Sequence, residues 1–563
     1  MTPEDSGNDR EPFYNMQKRF AARGRRRGSQ ATIRASRIAA VRRRLPHPSG
    51  QQAPVDRVSR RSEGPAPAPY AAALDEAVAT PVPGAPAAAV AALAMAAFAA
   101  VAALAAVAGM AGCRAPSGAG GAAAARRLAG AARGWNVVVL TIDTLRADRL
   151  GIYGYARRPT SPGLDAQLGA GVVFDNAFAQ RAATWPSLAS LLSGLYPSGH
   201  GVEENGNGFP DDLPTLPKLL KKAGYGTGAF LSNMCDANHQ GWDAFGCSGG
   251  KDGRTVREAL AWAAAPGDAR RPFLLWVHLF GAHPPYYNGG DLADRLDPGY
   301  EGSLGPKKWR LDAVMTQHQR LDAADLRHLD ALYDAAVIGS DRLAGELLGG
   351  LRRAGRLDHT LVVVAADHGE ELYAHHGYLY HACSVYQTTL RVPLGLAAPG
   401  LLPAGARVPQ AVELIDVLPT VLELLGVPPP PRLDGSSLVR YLERPGGGGA
   451  GKPAFSEYGA SRIHTVVQHS WKLVDNPDRL EPACIPGPPG QPPLRFPIAR
   501  TELYDLAHDP GETANLAAGN AVEVALLARL IDQRFAHLPH RAQPQPIPEK
   551  LRKELRDLGY VAP

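Results

Sequence analysis

The chain has 563 residues, 45% of them hydrophobic, and a formal net charge of +6, enough for one large domain with a satellite or for two to three ordinary domains. The basic excess is local: residues 1–61 hold 15 Lys and Arg against 5 Asp and Glu, so the rest of the chain carries about −4. A mildly acidic folded part argues against nucleic acid as a partner.

Residues 1–76 read as a basic, poorly ordered extension. From Ala77 to Cys113 no residue is charged, and Ala87–Gly112 (AAAVAALAMAAFAAVAALAAVAGMAG) is long enough to cross a bilayer as a helix. Arg57, Arg60 and Arg61 lie upstream, on the side expected to stay in the cytoplasm. The run ends Met110-Ala111-Gly112-Cys113, which resembles a bacterial lipoprotein signal with Cys113 as the acylated residue. An ordinary membrane anchor and an Ala-rich linker are the other readings of this run. The long segment before it is unusual for a signal peptide and allows a downstream start codon. The membrane readings attach the protein through its N-terminal segment and put the remainder in the cell envelope, outside the cytoplasm. Of the other cysteines, Cys235 and Cys247 are close enough in sequence to close a short disulfide loop, and no CxxC or Cys/His spacing suggests a cysteine-held zinc.

Residues 114–134 read as a Gly/Ala linker. At Trp135 the texture changes, and residues 135–440 read as the catalytic domain. Val137–Ile142 (VVVLTI), Phe273–Leu279 (FLLWVHL) and Leu361–Ala366 (LVVVAA) are short apolar runs expected as buried parallel strands. Helix-like stretches lie at Thr215–Ala223, Thr255–Ala264, Ala323–Arg353 and Ala411–Leu425. Buried strands alternating with helices predict an α/β domain with a mostly parallel sheet flanked by helices. Residues 441–563 hold short strand candidates at His464–Gln468, Trp471–Val474 and Glu502–Leu506, then a helix over Ala521–Phe535, and predict a small antiparallel sheet-and-helix subdomain.

The three apolar strands lead into chemistry. The first runs into Asp143, the second is followed by His283, and the third ends in Asp367-His368. Ligands of open α/β sheets bind beyond the carboxyl ends of the strands, so these residues converge on one rim. Each alone has a plain structural reading, as a helix cap or a satisfied histidine. Thr184-Trp185-Pro186-Ser187 opens a helix-like run. Thr184 reads either as its N-cap or as a hydroxyl at the positive helix end, where an anion is welcome.

Asn136–Gly154 (NVVVLTIDTLRADRLGIYG), Thr160–Leu164 (TSPGL), Phe174–Ala179 and Thr184–Gly201 (TWPSLASLLSGLYPSGHG) resemble the opening of the sulfatase family in the alkaline phosphatase superfamily. Pro272–Tyr286, Asp358–Gly377 (DHTLVVVAADHGEELYAHHG), Ile415–Leu438, Thr501–Ala517 and Leu555–Val561 continue the likeness in order. It implies the alkaline-phosphatase-like fold in two parts and an ester hydrolase or transferase with one divalent metal ion. It also implies that Asp143, Asp367, His368 and Thr184 are metal ligands and that Thr184 is the nucleophile. His376 and His381 take the place of histidines near the leaving group, His283 that of a substrate-side histidine, and His200 and Asn205 that of pocket wall.

The departures from the family pattern are chemical. Sulfatases carry Cys or Ser, matured to formylglycine, where this chain has Thr184, and Arg where it has Leu188. Thr144 replaces the second acid of the early pair, His368 stands where calcium-type sulfatases often have Asn, and Gly281 replaces the Asp of FDPH. In these respects the site resembles the threonine-using phosphoethanolamine transferases, lipoteichoic acid synthases and phosphodiesterases. A formylglycine hydrate expels sulfate through its second hydroxyl. A threonine ester lacks that route, whereas a phosphothreonine is resolved by water or an acceptor alcohol. His368 favours zinc or manganese, with calcium as the oxygen-loving alternative. The substrate expected is thus a sulfate or phosphate-type ester, with phosphoryl esters favoured by the chemistry. The alternatives are a sulfuric ester hydrolase working without formylglycine and an inactive binding protein.

Overall fold

The computed structural model describes residues 128–536, apart from 236–238, 266–270, 303, 306–320, 380, 448–450, 459–462 and 483–494, together with 545–546. The basic extension, the uncharged run to Cys113, Cys484 and the Leu555–Val561 motif lie outside the described residues. Among the described residues no helix is long and apolar enough to cross a membrane.

Eight strands form the main sheet: β1 (Asn136–Ile142), β2 (Val172–Phe178), β3 (Gly226–Leu231), β4 (Ala244–Cys247), β5 (Phe273–Leu279), β6 (Thr360–Ala366), β7 (Arg391–Ala397) and β8 (Ala406–Glu413). Their order is β4-β3-β5-β1-β6-β7-β2-β8. Only β7 runs against its neighbours; every other adjacent pair is parallel. The three apolar runs expected from sequence are the adjacent strands β5, β1 and β6, with Leu140 opposite Val277 on one side and Val364 on the other. They are continuous in apolar residues because helices cover both faces, so side chains pointing either way are buried. Each buried Val or Leu contributes about 1.5–3 kcal/mol relative to exposure.

The principal helices are α1 (Pro162–Gly169), α2 (Thr184–Ser193), α3 (Leu216–Lys222), α4 (Asp252–Ala264), α5 (Ala323–Arg353), α6 (Val417–Leu425) and α7 (Ala521–Phe535). The side chain of Asp322 caps α5 by accepting from Asp325 N. The stretch Ala411–Leu425 is not one helix: Ala411–Glu413 ends β8, Leu414–Asp416 is a 3-10 turn, and α6 starts at Val417. Glu413 and Asp416 form a reciprocal capping box at that turn, which breaks the apolar run into strand and helix. The end of the Gly/Ala stretch is part of the fold rather than a free linker. Leu128 and Ala132 are buried, and Gly130 N and Ala132 N donate to the carbonyls of Glu423 and Leu424.

The second sheet is antiparallel, in the order β9 (Ala454–Tyr458), β10 (Ile463–Gln468), β11 (Trp471–Asp475), β12 (Thr501–Asp505). α7 packs on it through Leu527 and Ile531. Its first strand clamps the loop after β2: Ser456 Oγ donates to the carbonyl of Ala179, and Glu457 N to that of Gln180. Cys235 and Cys247 form a disulfide, as their spacing allowed, and Cys383 is disulfide-bonded as well.

Candidate active site

β1 delivers Asp143 and β6 delivers Asp367 and His368 at the carboxyl edge of the sheet, all three fully buried. His368 Nε2 lies 3.7 Å from Asp143 Oδ1 and 3.4 Å from Asp367 Oδ2. Ligand atoms of the three lie within 4.8 Å of one another, close enough to share a metal ion. The other carboxylate oxygens are already used. Asp367 Oδ1 accepts from His368 N and Thr144 N, and Asp143 Oδ2 accepts from Asn233 Nδ2 at 2.6 Å. Asp143 Oδ1 and Asp367 Oδ2 are buried without a hydrogen-bond partner. Buried polar atoms are rarely left so, and two orphaned carboxylate oxygens beside an imidazole nitrogen fit a divalent cation. Burial, then the neighbouring Asp367, push the Asp143 carboxyl well above the usual range; burial likewise raises Asp367. Two carboxylates forced together out of water call for positive charge.

His368 is prepared as a ligand by its other nitrogen. Nδ1 lies 2.9 Å from the carbonyl of Gly369, so Nδ1–H donates there and Nε2 keeps its lone pair. Burial holds the imidazole well below its usual pKa, which keeps it neutral.

Thr184 is the first residue of α2, not its cap; the cap position is Ala183, with no side-chain cap bond. Trp185 N instead donates to Asn205 Oδ1 at 2.8 Å. That frees the Thr184 hydroxyl, which sits 3.3 Å from His368 Nε2. All ten residues of α2 are buried, and its small residues allow the close approach. Ser187 Oγ donates to the carbonyl of Asp367, tying the helix to the end of β6. Leu188, at the family's arginine position, is fully buried in the core and brings no charge to the site.

The remaining sequence candidates divide into two groups. His381 and His283 join the cluster, with ring centroids 4.5 Å from His368 to His381 and 5.2 Å from His381 to His283. Burial lowers both imidazoles to about 3. His376 is directed elsewhere: its Nε2 is 3.3 Å from the Tyr386 hydroxyl and its ring packs on Phe496. His200 and Asn205 brace α2 rather than line the cluster. His200 Nε2 meets Ser190 Oγ at 3.0 Å, and its Nδ1 accepts from Val202 N.

Four residues of the site escaped the sequence reading. Glu370 Oε2 lies 3.1 Å from His381 Nδ1, and burial raises its carboxyl to about 7. His278, within β5, has its Nε2 buried and 3.9 Å from Asp143 Oδ2. Asn233, two residues past β3, holds Asp143, and Arg181, three residues before Thr184, exerts its charge on His368. The signal for His278 was a lone polar ring in an apolar strand, and for Glu370 an acid two residues after His368; Asn233 and Arg181 left none.

Gly281 shows why the usual FDPH acid is missing. Its φ is +60°, and a Cβ there would run into Ile142 and the backbone of Asp143. The acid that holds this loop comes from α4 instead: Asp252 accepts from Phe280 N at 2.7 Å and Gly281 N at 3.0 Å.

The sheet order, the second antiparallel sheet and the strand-end site define a hydrolase of the alkaline-phosphatase-like fold. The sulfatase family profile matches residues 135–427, more than half of the chain, and the chain belongs to that family as a sulfatase-type ester hydrolase. It is 24% identical over 445 residues to a sulfatase of Formosa agariphila, covering 68% of this chain and 83% of that protein. It is 26% identical over 408 residues to arylsulfatase K of Xenopus laevis, covering 62% and 72%. Among solved structures it resembles a complex with D-glucosamine-2-N,6-O-disulfate, with a TM-score of 0.58, 21% identity and coverage of 72% and 99%. The phosphonate monoester hydrolase of Agrobacterium radiobacter gives a TM-score of 0.55 at 20% identity, covering 73% and 97%. The structural likenesses establish the fold.

Proposed function

We propose that the chain is a metal-dependent ester hydrolase in which Thr184 attacks a sulfuryl or phosphoryl centre, with phosphoryl esters the better substrates. The observation that carries this reading is the uncapped Thr184 hydroxyl at the start of a buried helix, 3.3 Å from His368 Nε2 and beside two orphaned carboxylate oxygens. A divalent ion, zinc or manganese by preference for the His368 imidazole, would be held by Asp143, Asp367, His368 and Thr184 and would supply Lewis acidity.

The rest is the work of side chains. Thr184 Oγ1 releases its proton to solvent and forms a bond to sulfur or phosphorus as the bond to the leaving oxygen breaks. His381 gives that oxygen its Nε2 proton, while Glu370, whose carboxyl stays protonated up to about pH 7, passes its own proton to His381 Nδ1. Water then attacks the same centre and expels Thr184 Oγ1, giving it one proton and keeping the other on the released acid, while His381 Nε2 takes a proton from solvent as Nδ1 returns one to Glu370. His283 lines the substrate side. The α2 dipole favours the anion throughout.

Steady-state kinetics on matched sulfate, phosphate monoester, phosphodiester and phosphonate esters test the reading. The phosphoryl or phosphonate member should give the highest kcat/KM; sulfate esters cleaved best would overturn the preference and leave the site assignment standing. The sulfate reading has its own support, since the relatives found by sequence are named sulfatases. An inactive binding protein is disfavoured because Asp143, Thr184, Asp367 and His368 are retained together.

We also propose that residues 77–113 tether the protein to a membrane, by acylated Cys113 or as a helix, with the catalytic domain outside the cytoplasm. The Cys235–Cys247 disulfide supports an oxidising compartment. Fractionation of cells making the full chain tests this; recovery wholly in the soluble cytoplasmic fraction would refute it.

A further inference from the structure

Arg181 is 5% exposed, yet among the described residues no hydrogen bond or ion pair holds its guanidinium, and its Nε is buried without a partner. What holds it is a ring: its Cζ lies 3.8 Å from the centroid of Tyr458, at the end of β9. A buried cation without a counter-charge carries a large desolvation penalty, and such groups are normally paired.

The neighbouring Gln180 is held from two sides, by the turn after β8 and by β9. Gln180 Oε1 accepts from Ile415 N, and its carbonyl accepts from Glu457 N in β9. The loop therefore cannot readily swing Arg181 out to water. Its charge reaches two groups, His368 in the cluster and Glu457 on the other side. No hydrogen bond or ion pair joins Arg181 to Glu457 among the described residues. That carboxyl is fully buried, accepts from Ser198 N at 2.5 Å, and is raised by burial to about 7. Arg181 stands three residues before Thr184 and its charge reaches His368, so an anion held by those two would give it a counter-charge.

We propose that Arg181 is the oxyanion-binding residue of this site, gripping the sulfuryl or phosphoryl oxygens of the substrate in the role left vacant by Leu188. The assignment rests on the ester-hydrolase reading above and extends it. A planar guanidinium already stacked on Tyr458 loses little freedom when it engages two oxygens of a tetrahedral anion. It also differs from an arginine on α2 in being delivered by a loop that the second sheet clamps, so both sheets contribute to substrate binding.

The test uses the metal-loaded chain and inorganic phosphate and inorganic sulfate, each titrated separately by calorimetry and by thermal shift. In the wild type, phosphate should bind and raise Tm. Arg181→Met should weaken phosphate binding by about ten-fold or more, with a Tm equal to or above that of the wild type without anion, because an unpaired buried charge has been removed. A purely structural arginine would instead lower Tm and leave anion affinity alone. Arg181→Lys, which keeps the charge and loses the fork, should weaken binding several-fold, and it decides the matter if the Met variant does not fold. Phosphate and sulfate affinities within two-fold of wild type in the folded variant, while the wild type still cleaves its ester, would overturn the role of Arg181 alone. A wild type that binds neither anion and cleaves no ester would bring down the hydrolase reading and this inference together.

Discussion

Ser187 Oγ donates to the main-chain carbonyl of Asp367 at 2.6 Å, with both groups buried. One bond thus ties the helix that begins at Thr184 to the strand that leads into Asp367 and His368. Ser187→Ala should leave that carbonyl unsatisfied and cost about 1–3 kcal/mol of stability, read by denaturant unfolding. It should also lower kcat more than it raises KM, since the anion grip is untouched.

Thr184→Ala should reduce turnover on the best ester by about a hundred-fold or more, as loss of a nucleophile does, with Tm little changed because the hydroxyl caps nothing. Thr184→Ser should keep substantial turnover. Wild-type turnover by Thr184→Ala on every ester tested would show that another group attacks.

Asp367→Asn should abolish metal retention in elemental analysis, with equal metal in both proteins refuting the ligand assignment. A second consequence follows from the raised carboxyls of Asp143 and Asp367. Without metal, the wild type must hold two carboxyls that resist ionisation, so its stability falls as pH rises through their folded pKa values. Metal-free Asp367→Asn should lose less stability from pH 5 to pH 8 than metal-free wild type, and added metal should reverse the order of the two.

Asp252→Ala should release the loop carrying Gly281 and His283, because Asp252 is the acceptor for two of its N–H groups. The expected cost is about 2 kcal/mol or more, from two bonds to one carboxyl group, one buried and one part-buried, measured by thermal unfolding. The accompanying loss should fall mainly on KM for the ester.

Glu457 gives the pH test that does not touch the metal ligands. Its folded pKa, about 7, is above the ordinary 4.5, so the folded chain holds a proton that the unfolded chain has released. That contribution is fully present below pH 4.5 and is lost as pH rises through 7. Glu457→Gln should remove this part of the slope, at most about 3 kcal/mol, in unfolding curves taken from pH 4.5 to 8. An unchanged slope would mean that the carboxyl ionises freely.

The core strands β1, β5 and β6 were legible because burial on both faces demands unbroken apolar runs, and α5 because its buried face repeats at helical spacing. Other strands were hidden by residues placed for their neighbours. β3 reads GTGAFL, since a side chain at Gly228 would meet the ring of Trp262. β7 carries Pro393 at the irregularity in its pairing with β2, between Phe174 and Ala177. Within the site, residues placed at strand ends (Asp143, Asp367 and His368) and at a helix start (Thr184) were readable. Asn233 and Arg181 reach the cluster from other segments of the chain, and no local pattern announces them. His376 was placed by analogy of spacing, but the left-handed backbone at that residue turns its ring toward Tyr386.

Leu128, Gly130 and Ala132 dock against Glu443 and the carboxyl end of α6, and the chain then enters β1 at Asn136. Because β1 is read from that end toward Asp143, the polypeptide comes in at the floor of the sheet and the reacting groups open at its roof. A support attached upstream of Leu128 would therefore hold the domain at the edge of the sheet opposite the reacting groups, and a surface-coupled form immobilised through its N-terminus should turn over bulky soluble esters as readily as the free protein.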